Sequence, residues 1–417
     1  MLSVGRIADI VGKKVLYLAG FIIFLLGSLL CGLSTQVYSL IGFRIIQAIG
    51  ACFMMVLGTA IVTEAFPSSE RGMAMGIIGT VVSVGVITGP TMGGIILNYL
   101  KWNWIFFVNL PIGLIGILLV QKFVPNTTPG TKQHFDIIGA LMMFLALGSF
   151  LFSLSLGQML GFNTPLVVIL FFVFVVLIIN FILFEKRTKE PMLNLTLFKN
   201  IQFSVNVFTG FLTFVANSGL FFLMPFFFTN VMHLSPGKIG LLMIVIPGFM
   251  SFAAPISGKL SDKLGTRKIS IAGLVFLFAG IFAFSSIDID TSTSGYIIKA
   301  ITVGLGMGLF QSPNNSAIMG SAPRNRLGIA SGMMALTRTL GQTTGIALTG
   351  AFWAGRVTHH LGEIPLGGAS AAPAAIQADS LQDVLIVSSA LIVLAILVAG
   401  WAYFVERKSL MGTNQVD

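Results

Sequence analysis

Charged residues are scarce in this chain of 417 residues: 9% are Asp, Glu, Lys or Arg, whereas 55% are hydrophobic. Soluble domains carry about 25% charged residues, so this composition excludes an ordinary water-soluble protein. The apolar residues fall in long runs separated by short polar breaks. Because about 20 apolar residues in a helix cross the hydrocarbon core of a bilayer, the sequence predicts an integral membrane protein.

Cysteine and reactive motifs are also scarce. Cys31 and Cys52 both lie inside apolar runs, so we expect packing roles and no disulfide. The sequence has no Walker loop and no metal-ligand spacing, and His359 and His360 fall in a Gly-, Ala- and Pro-rich segment that we predict to be a solvated loop. We therefore expect no enzyme activity, no metal and no cofactor.

The net charge of +10 is distributed in a way that indicates membrane orientation and not nucleic-acid binding. The 24 Lys and Arg residues are scattered through short segments between the apolar runs. With a cytoplasmic N-terminus, 18 of them fall on the inner side and 3 on the outer side, which is the bias of the positive-inside rule. Both termini are therefore predicted to be cytoplasmic. The remaining three, Arg44, Lys299 and Arg338, lie inside apolar runs.

Twelve apolar runs are long enough to span a bilayer. Period-2 alternation is absent from them, so they are predicted to be helices, which satisfy their backbone groups segment by segment in lipid. The predicted fold class is all-α, a polytopic helical bundle in the lipid bilayer. The spans are predicted at 15–34, 37–64, 73–97, 104–123, 137–157, 165–184, 203–229, 236–257, 270–287, 294–320, 327–355 and 384–404.

An internal repeat divides the chain into two halves. The segment GRIADIVGKK begins at Gly5 and GKLSDKLGTR begins at Gly258, and both fall in predicted inner loops. Four glycines of the third span also match four of the eleventh at one offset: 72, 76, 85 and 89 with 328, 332, 341 and 345. Internal symmetry of this kind is typical of transporters built from repeated helical units.

The repeat also predicts the domain organisation. Residues 1–123 form an N-terminal half with four spans, residues 203–417 form a six-span C-terminal half, and residues 124–202 contain an inserted helix pair with its linkers. Two spans precede the second copy of the repeated segment, and none precedes the first. Symmetry therefore predicts a fourteen-span parent architecture, of which this chain lacks the first two spans.

Several segments resemble the major facilitator superfamily. Residues 5–14 resemble the signature between its second and third helices, residues 44–50 its fourth-helix pattern, and residues 85–94 its antiporter signature. Residues 102–113 and 136–139 are similar to the fourteen-span drug:proton antiporter branch. The resemblance implies an inner-membrane multidrug exporter that exchanges lipophilic or amphipathic small molecules for protons. It leaves a periplasmic adaptor protein open as a partner.

The repeated segments are predicted to form a gate. The gating residues are Gly5, Arg6, Asp9, Gly12, Lys13 and Lys14 in the first copy and Gly258, Asp262, Gly265 and Arg267 in the second. We expect Asp9 to face a helix N-terminus, and Lys13 and Lys14 to engage a carboxylate or a helix C-terminus. The alternative is a tight basic turn that only obeys the orientation rule.

Polar residues inside spans are candidates for a central cavity, because intramembrane charge is costly and usually functional. Arg44 is predicted to line this cavity, and Arg338 is either a cavity cation or paired with helix-end carbonyls. No acid lies in the middle of a span, so Glu64, near an inner span end, is the candidate for proton coupling. The uncharged candidates are Gln47, Asn217, Gln311 and Asn314.

The antiporter-like segment is predicted to pack closely against another helix. Gly85, Gly89, Gly93 and Gly94 place small residues at helical spacing, and Pro90 favours a kink. The resemblance implies that this stretch is a dry hinge that prevents proton leak. Two other functions are compatible with the sequence: a non-transporting or regulatory membrane protein, and an ion-coupled importer of the same fold.

Overall fold

The computed structural model describes residues 1–126, 135–363, 365 and 367–413, and within these it describes no side chains at 90, 325 and 407–413. The charges of Lys132, Arg407 and Lys408, which entered the predicted orientation, therefore lie outside the described residues and side chains, as does the kink predicted from Pro90. All regular structure in the described part is helical, which confirms the predicted all-α fold class.

The described chain contains fifteen α-helices, with short 3-10 and π turns beside some of them. Helices α5 and α6 together make one candidate span, and so do α10 and α11. In chain order the helices are α1 Leu2–Val11, α2 Lys13–Leu33, α3 Val37–Ala65, α4 Arg71–Tyr99, α5 Trp104–Phe107, α6 Asn109–Phe123, α7 Ile137–Leu160, α8 Pro165–Glu185, α9 Ile201–Phe226, α10 Pro236–Met243, α11 Val245–Leu264, α12 Thr266–Phe284, α13 Thr293–Gly320, α14 Leu327–Leu361 and α15 Ala374–Thr413.

Eleven segments of the described chain are long and apolar enough to cross a membrane, one fewer than the twelve predicted. The difference is α14, a helix of 35 residues that carries Arg338, Arg356 and many glycines and threonines. This helix packs against α1, α3, α7, α9 and α15 inside the bundle. Its polar groups therefore meet protein rather than lipid, which is where such groups are tolerated within a membrane.

The spans run alternately between two ends of the bundle. We call the end that holds residues 5–14 and 258–267 the motif end, and the other the opposite end. Helices α4 and α14 both start at the motif end. Helix α4 of the first half packs against α11 and α13, and α14 of the second half packs against α1 and α3. These two helices therefore make the contacts that join one half to the other.

The repeated segments are largely helical, which corrects the prediction that they are loops. Only Gly12 and Gly265 interrupt the helices, with φ angles of 109° and 92°. Residues with a side chain are strained at such angles, so each glycine ends one helix and lets the next begin at once. Five of the predicted gating residues lie within α1 or α11: Gly5, Arg6, Asp9, Gly258 and Asp262.

The histidine pair is also helical and not in a loop. His359 and His360 lie in the last turn of α14. His360 Nε2 lies 2.8 Å from Asp383 Oδ2, and Arg356 Nε lies 2.7 Å from the same oxygen. Because Asp383 belongs to α15, this cluster ties α14 to α15 at the opposite end and explains why α14 continues beyond the predicted span end.

Candidate functional site

One contact between the halves joins α1 to α14 at the motif end. The Asp9 carboxylate accepts the backbone N–H groups of Gly328 (3.0 Å) and Ile329 (3.2 Å), two of the donors that the start of a helix leaves unpaired. The two backbones touch here, because a Cβ on Gly5 would overlap the Gly328 carbonyl. Burial outweighs the two hydrogen bonds and raises the pKa of Asp9, in a helix that is not a candidate span, to about 6.

An equivalent contact joins α11 to α4. The Asp262 carboxylate accepts the N–H groups of Gly72 (2.8 Å) and Met73 (2.9 Å) at the start of α4. Gly258 meets the Gly72 backbone as closely as Gly5 meets its own partner. A carboxylate is favoured at both places because a helix N-terminus carries partial positive charge. We call these two contacts the Asp9 latch and the Asp262 latch.

A serine hydroxyl adds a further hydrogen bond beside each latch. The Ser312 hydroxyl of α13 donates to the Gly72 carbonyl at 2.9 Å. The Ser331 hydroxyl of α14 donates to the Val56 carbonyl of α3. Each bond crosses from one half to the other. The motif end is thus closed by two matching sets of contacts, as the two copies of the sequence segment suggest.

The basic residues of the first copy make both kinds of contact that the sequence predicted. Lys13 Nζ lies 2.8 Å from Glu64 Oε2, and Lys14 Nζ donates to the Gln121 carbonyl in the last turns of α6 at 2.9 Å. These bonds link α2 to α3 and α6, within the first half. Glu64 is therefore an ion-pair partner at the motif end, and it does not line either of the two cavities between the halves.

The remaining predicted gating cations are also placed at the motif end. Arg267 Nη2 lies 2.6 Å from Glu406 Oε1, which joins α12 to α15 within the second half. Arg6 is 6% exposed, and its charge lies close enough to Glu185, the last residue of α8, to interact with it. Arg6 thereby connects the gate to the inserted pair α7 and α8, which pack against each other.

Two adjoining cavities of about 350 and 410 Å³ lie between the halves. Both volumes fall in the range of about 300–1,000 Å³ that is typical of ligand sites. The first cavity extends toward the motif end, to Tyr17 and Thr59, and the second toward the opposite end, to Phe222 and Pro247. Four residues line both cavities: Val82, Phe214, Gln311 and Arg338.

Arg338 is the one charged residue among the described residues that line these cavities. Its guanidinium carbon lies 5.9 Å from the Phe214 ring centroid, and no described acid forms an ion pair with it. Of the two predicted roles, the cavity cation agrees with this position. Asn217 and Gln311 also line the second cavity, 8% and 7% exposed, and the side-chain oxygen of each has no hydrogen-bond partner in the described part of the chain.

Three predicted cavity residues lie elsewhere, and the prediction for Arg44 needs correction. The Arg44 guanidinium carbon lies 4.6 Å from the Phe106 ring centroid, and Nη1 donates to Gln47 Oε1 at 3.2 Å. Gln47 in turn donates to the Ser28 hydroxyl at 2.7 Å, so this chain of contacts joins α3 to α2. Asn314 is buried beside α9, 3% exposed. None of the three lines either cavity.

The glycines of the antiporter-like segment do not pack closely, contrary to the prediction. A Cβ added at Gly85, Gly89, Gly93 or Gly94 would meet no atom within 4 Å among the described contacts. Helix α4 touches α11 tightly only in its first turns, where a Cβ on Gly76 would overlap the Ala254 carbonyl. The two halves therefore separate along α4 toward the opposite end, and small residues are not needed for close approach there.

The sequence did not single out most of the cavity wall. A signal was available on α14, where every fourth residue from Met334 through Arg338 and Gln342 to Ile346 lines a cavity, as one face of a helix does. No comparable signal marked Phe214, because the chain has 37 phenylalanines and most of its spans contain several. Only the packing of α9 against α14 brings that ring to Arg338.

Comparisons with known proteins agree with this architecture. The riboflavin transporter RibZ of Clostridioides difficile (strain 630) is 36% identical over 361 residues, which cover 86% of this chain and 78% of that protein. The multidrug transporter protein MdtP of Bacillus subtilis (strain 168) is 30% identical over 348 residues, 83% of this chain and 64% of that protein. The human organic anion transporter MFSD10 shares the fold, with a TM-score of 0.67 at 15% identity over 94% of this chain and 79% of that chain. Residues 1–346 match the Major Facilitator Superfamily, and the chain belongs to that family.

Proposed function

We propose that this protein exports small amphipathic, aromatic compounds across the plasma membrane by alternating access, in exchange for protons. Membership of the family makes the chain a multi-pass membrane transporter and not an enzyme. The observation that carries the finer proposal is the pair of latches, because they join the halves at one end while the cavities lie between the halves. A transporter closed at one end in this way offers its cavity to the other end.

The orientation and the branch of the family rest on separate observations. Basic residues concentrate at the motif end, so the positive-inside rule makes that end cytoplasmic. The described conformation would then be closed to the cytoplasm. The inserted pair α7 and α8 between the halves supports the fourteen-span drug:proton antiporter branch, and two multidrug proteins, MdtP and Stp, are among the relatives at 30% identity.

Riboflavin is a second candidate substrate. The most specific reason is the relative of 36% identity whose name assigns it riboflavin transport. The second cavity also offers what a polar ring system needs, since Phe214, Phe221 and Phe222 provide apolar surface and Asn217 and Gln311 provide amide groups. Riboflavin would bind in the same cavity. This alternative therefore differs in the substrate and the direction of transport, and it keeps the alternating-access mechanism.

The test is flux through the purified chain in proteoliposomes with an acidic lumen. Efflux of protons should drive accumulation of a fluorescent amphipathic dye, and the protonophore that collapses the gradient should abolish it. Riboflavin should compete if it shares the cavity. Absence of gradient-dependent flux for every probe would support the non-transporting alternative. Movement of the dye in the same direction as the protons, so that it accumulates only when the lumen is the alkaline side, would support an importer.

A further inference from the structure

The cavities between the halves carry a single described charge, and its sign selects among solutes. We propose that they bind planar aromatic solutes that bear a negative charge, and that they discriminate against cationic ones. The proposal deepens the proposed function by naming its substrate class, and it rests on that function for transport but not for binding. The proposal depends on Arg338 and on the buried amide side chains around it.

Arg338 places a positive charge in the space between the halves. It pairs with no described acid, and the described residues that line both cavities include no Asp, Glu, Lys or His. A cationic solute that enters these cavities loses part of its hydration shell next to the like charge of Arg338. An anion instead gains charge-assisted hydrogen bonds from the guanidinium, which are about twice as strong as neutral ones. In a partly dry cavity this difference is larger than in water.

Arg44 provides a comparison with Arg338 in the same chain. Its guanidinium stacks on Phe106 at 4.6 Å and donates to Gln47 at 3.2 Å. Arg338 has a more distant aromatic contact, 5.9 Å from the Phe214 centroid, and no described hydrogen bond. Its donors are thus available to a bound molecule, whereas Arg44 donates to Gln47 on its own helix.

The location of Arg338 makes it accessible from both cavities. It is the residue of α14 that lines both of them, at the point where they adjoin. A solute in either cavity therefore lies near the guanidinium. During alternating access, a group at this junction stays in contact with the solute while the two ends open and close in turn.

The other residues that line the cavities favour further chemical features of the solute. Asn217 and Gln311 are more than nine-tenths buried, and each has a side-chain oxygen with no described partner. Buried oxygens of this kind favour a ligand with N–H or O–H donors. The rings of Phe214, Phe221 and Phe222 favour a flat apolar face. An aromatic acid with at least one donor meets all three requirements.

Binding of two xanthene dyes of opposite charge to the purified full-length chain tests the inference. Fluorescein is anionic and rhodamine 6G is cationic at neutral pH. Fluorescence polarisation, corrected with protein-free detergent micelles, should give a Kd at least tenfold lower for fluorescein. Arg338→Gln should weaken fluorescein binding at least tenfold and remove the preference. Arg338→Lys should keep a preference for the anion, and Arg44→Gln, the matched arginine outside the cavities, should behave as the unmodified protein.

Equal or tighter binding of rhodamine 6G would overturn the inference, and so would a preference for fluorescein that survives in a folded Arg338→Gln variant. Size-exclusion profiles that match between Arg338→Gln and Arg338→Lys show that both variants are folded. Charge-selective binding without flux of either dye would overturn the proposed export and leave this inference standing. Flux of the cationic dye that does not depend on Arg338 would overturn this inference and leave the proposed export standing.

Discussion

Helices α4 and α14 hold equivalent places in the two halves, and their first turns have nearly the same surroundings. Gly72 and Gly328 each lie against a glycine of the other half, and each donates its N–H group to an aspartate. Further along, the two helices differ. Gly341 and Gly345 of α14 lie against α9, whereas the matching glycines of α4 have no neighbour within 4 Å among the described contacts.

The cavity wall shows the same division. Val82 and Arg338 each lie ten residues after the glycine whose N–H group donates to the latch aspartate. Each of the two residues lines both cavities. One half thus contributes a methyl-bearing side chain where the other contributes a charge. The comparison indicates that the gate is symmetric because helix ends need capping and close backbone contact at both places, while the cavity is asymmetric because its side chains are not bound by that requirement.

The largest effect should come from filling the close contacts at the gate. Gly72→Val and Gly328→Val place side-chain atoms where another backbone already lies, and overpacking of this kind costs about 1–3 kcal/mol. Since about 1.4 kcal/mol is tenfold in an equilibrium, the motif end should open roughly tenfold more often. An impermeant maleimide applied from the motif end should label Met334→Cys correspondingly faster, in a chain whose Cys31 and Cys52 are replaced by Ser.

Gly85→Val is the matched control, because the same change on the same helix meets open space. Its labelling rate should stay within about twofold of the parent protein, because a substitution away from close contacts usually changes the free energy of unfolding by at most about 0.5 kcal/mol. A comparable rise in labelling for Gly85→Val would show that the effect is a general loss of helix stability and would remove the distinction between the two parts of α4.

A smaller effect is expected from the aspartates. Asp9→Asn and Asp262→Asn leave one acceptor oxygen where each carboxylate offers two, so one N–H group at the start of each helix loses its partner. A hydrogen bond of this kind contributes about 0.5–1.5 kcal/mol, so each variant should lower dye flux between about twofold and tenfold at unchanged membrane abundance. The double variant should lower it further if the latches act together. Unchanged flux in both single variants would mean that the segments serve orientation only.

The smallest effect should be a dependence of the Asp9 latch on pH. Burial raises the pKa of Asp9 to about 6 in the closed conformation, from the ordinary value of 3.8. Closure therefore takes up a proton between about pH 4 and 6, so that falling pH favours the closed latch and rising pH through 6 weakens it. Labelling of Met334→Cys from the motif end should slow as the pH falls through this window, and Asp9→Asn should reduce that slope. An identical slope in both proteins would assign the pH dependence to another group.

Much of the gate could be predicted from the sequence because its chemistry is local. A repeated segment with an aspartate after a glycine indicates two places where a helix end is capped, and Lys13 and Lys14 indicate nearby acceptors. What could not be predicted is which helix each aspartate reaches, since Asp9 and Gly328 are separated by 319 positions. The cavity was harder still: Arg44 and Arg338 look alike as arginines within apolar runs, yet only one of them lines it.

The all-α fold, the two matching halves and the repeated aspartate segments follow from the amino-acid sequence. They depend on the length of apolar runs and on the order of residues within short segments. The glycine breaks at 12 and 265, where the sequence predicted loops, are a finding of the structure, although glycine alone adopts those backbone angles readily. The packing of the helices determines that α14 is an inner helix, that the glycines from 85 to 94 face open space, and that Arg338 lies where the two cavities adjoin. The reason is that each depends on which other helix lies alongside, and a residue pattern along one helix does not specify its neighbour.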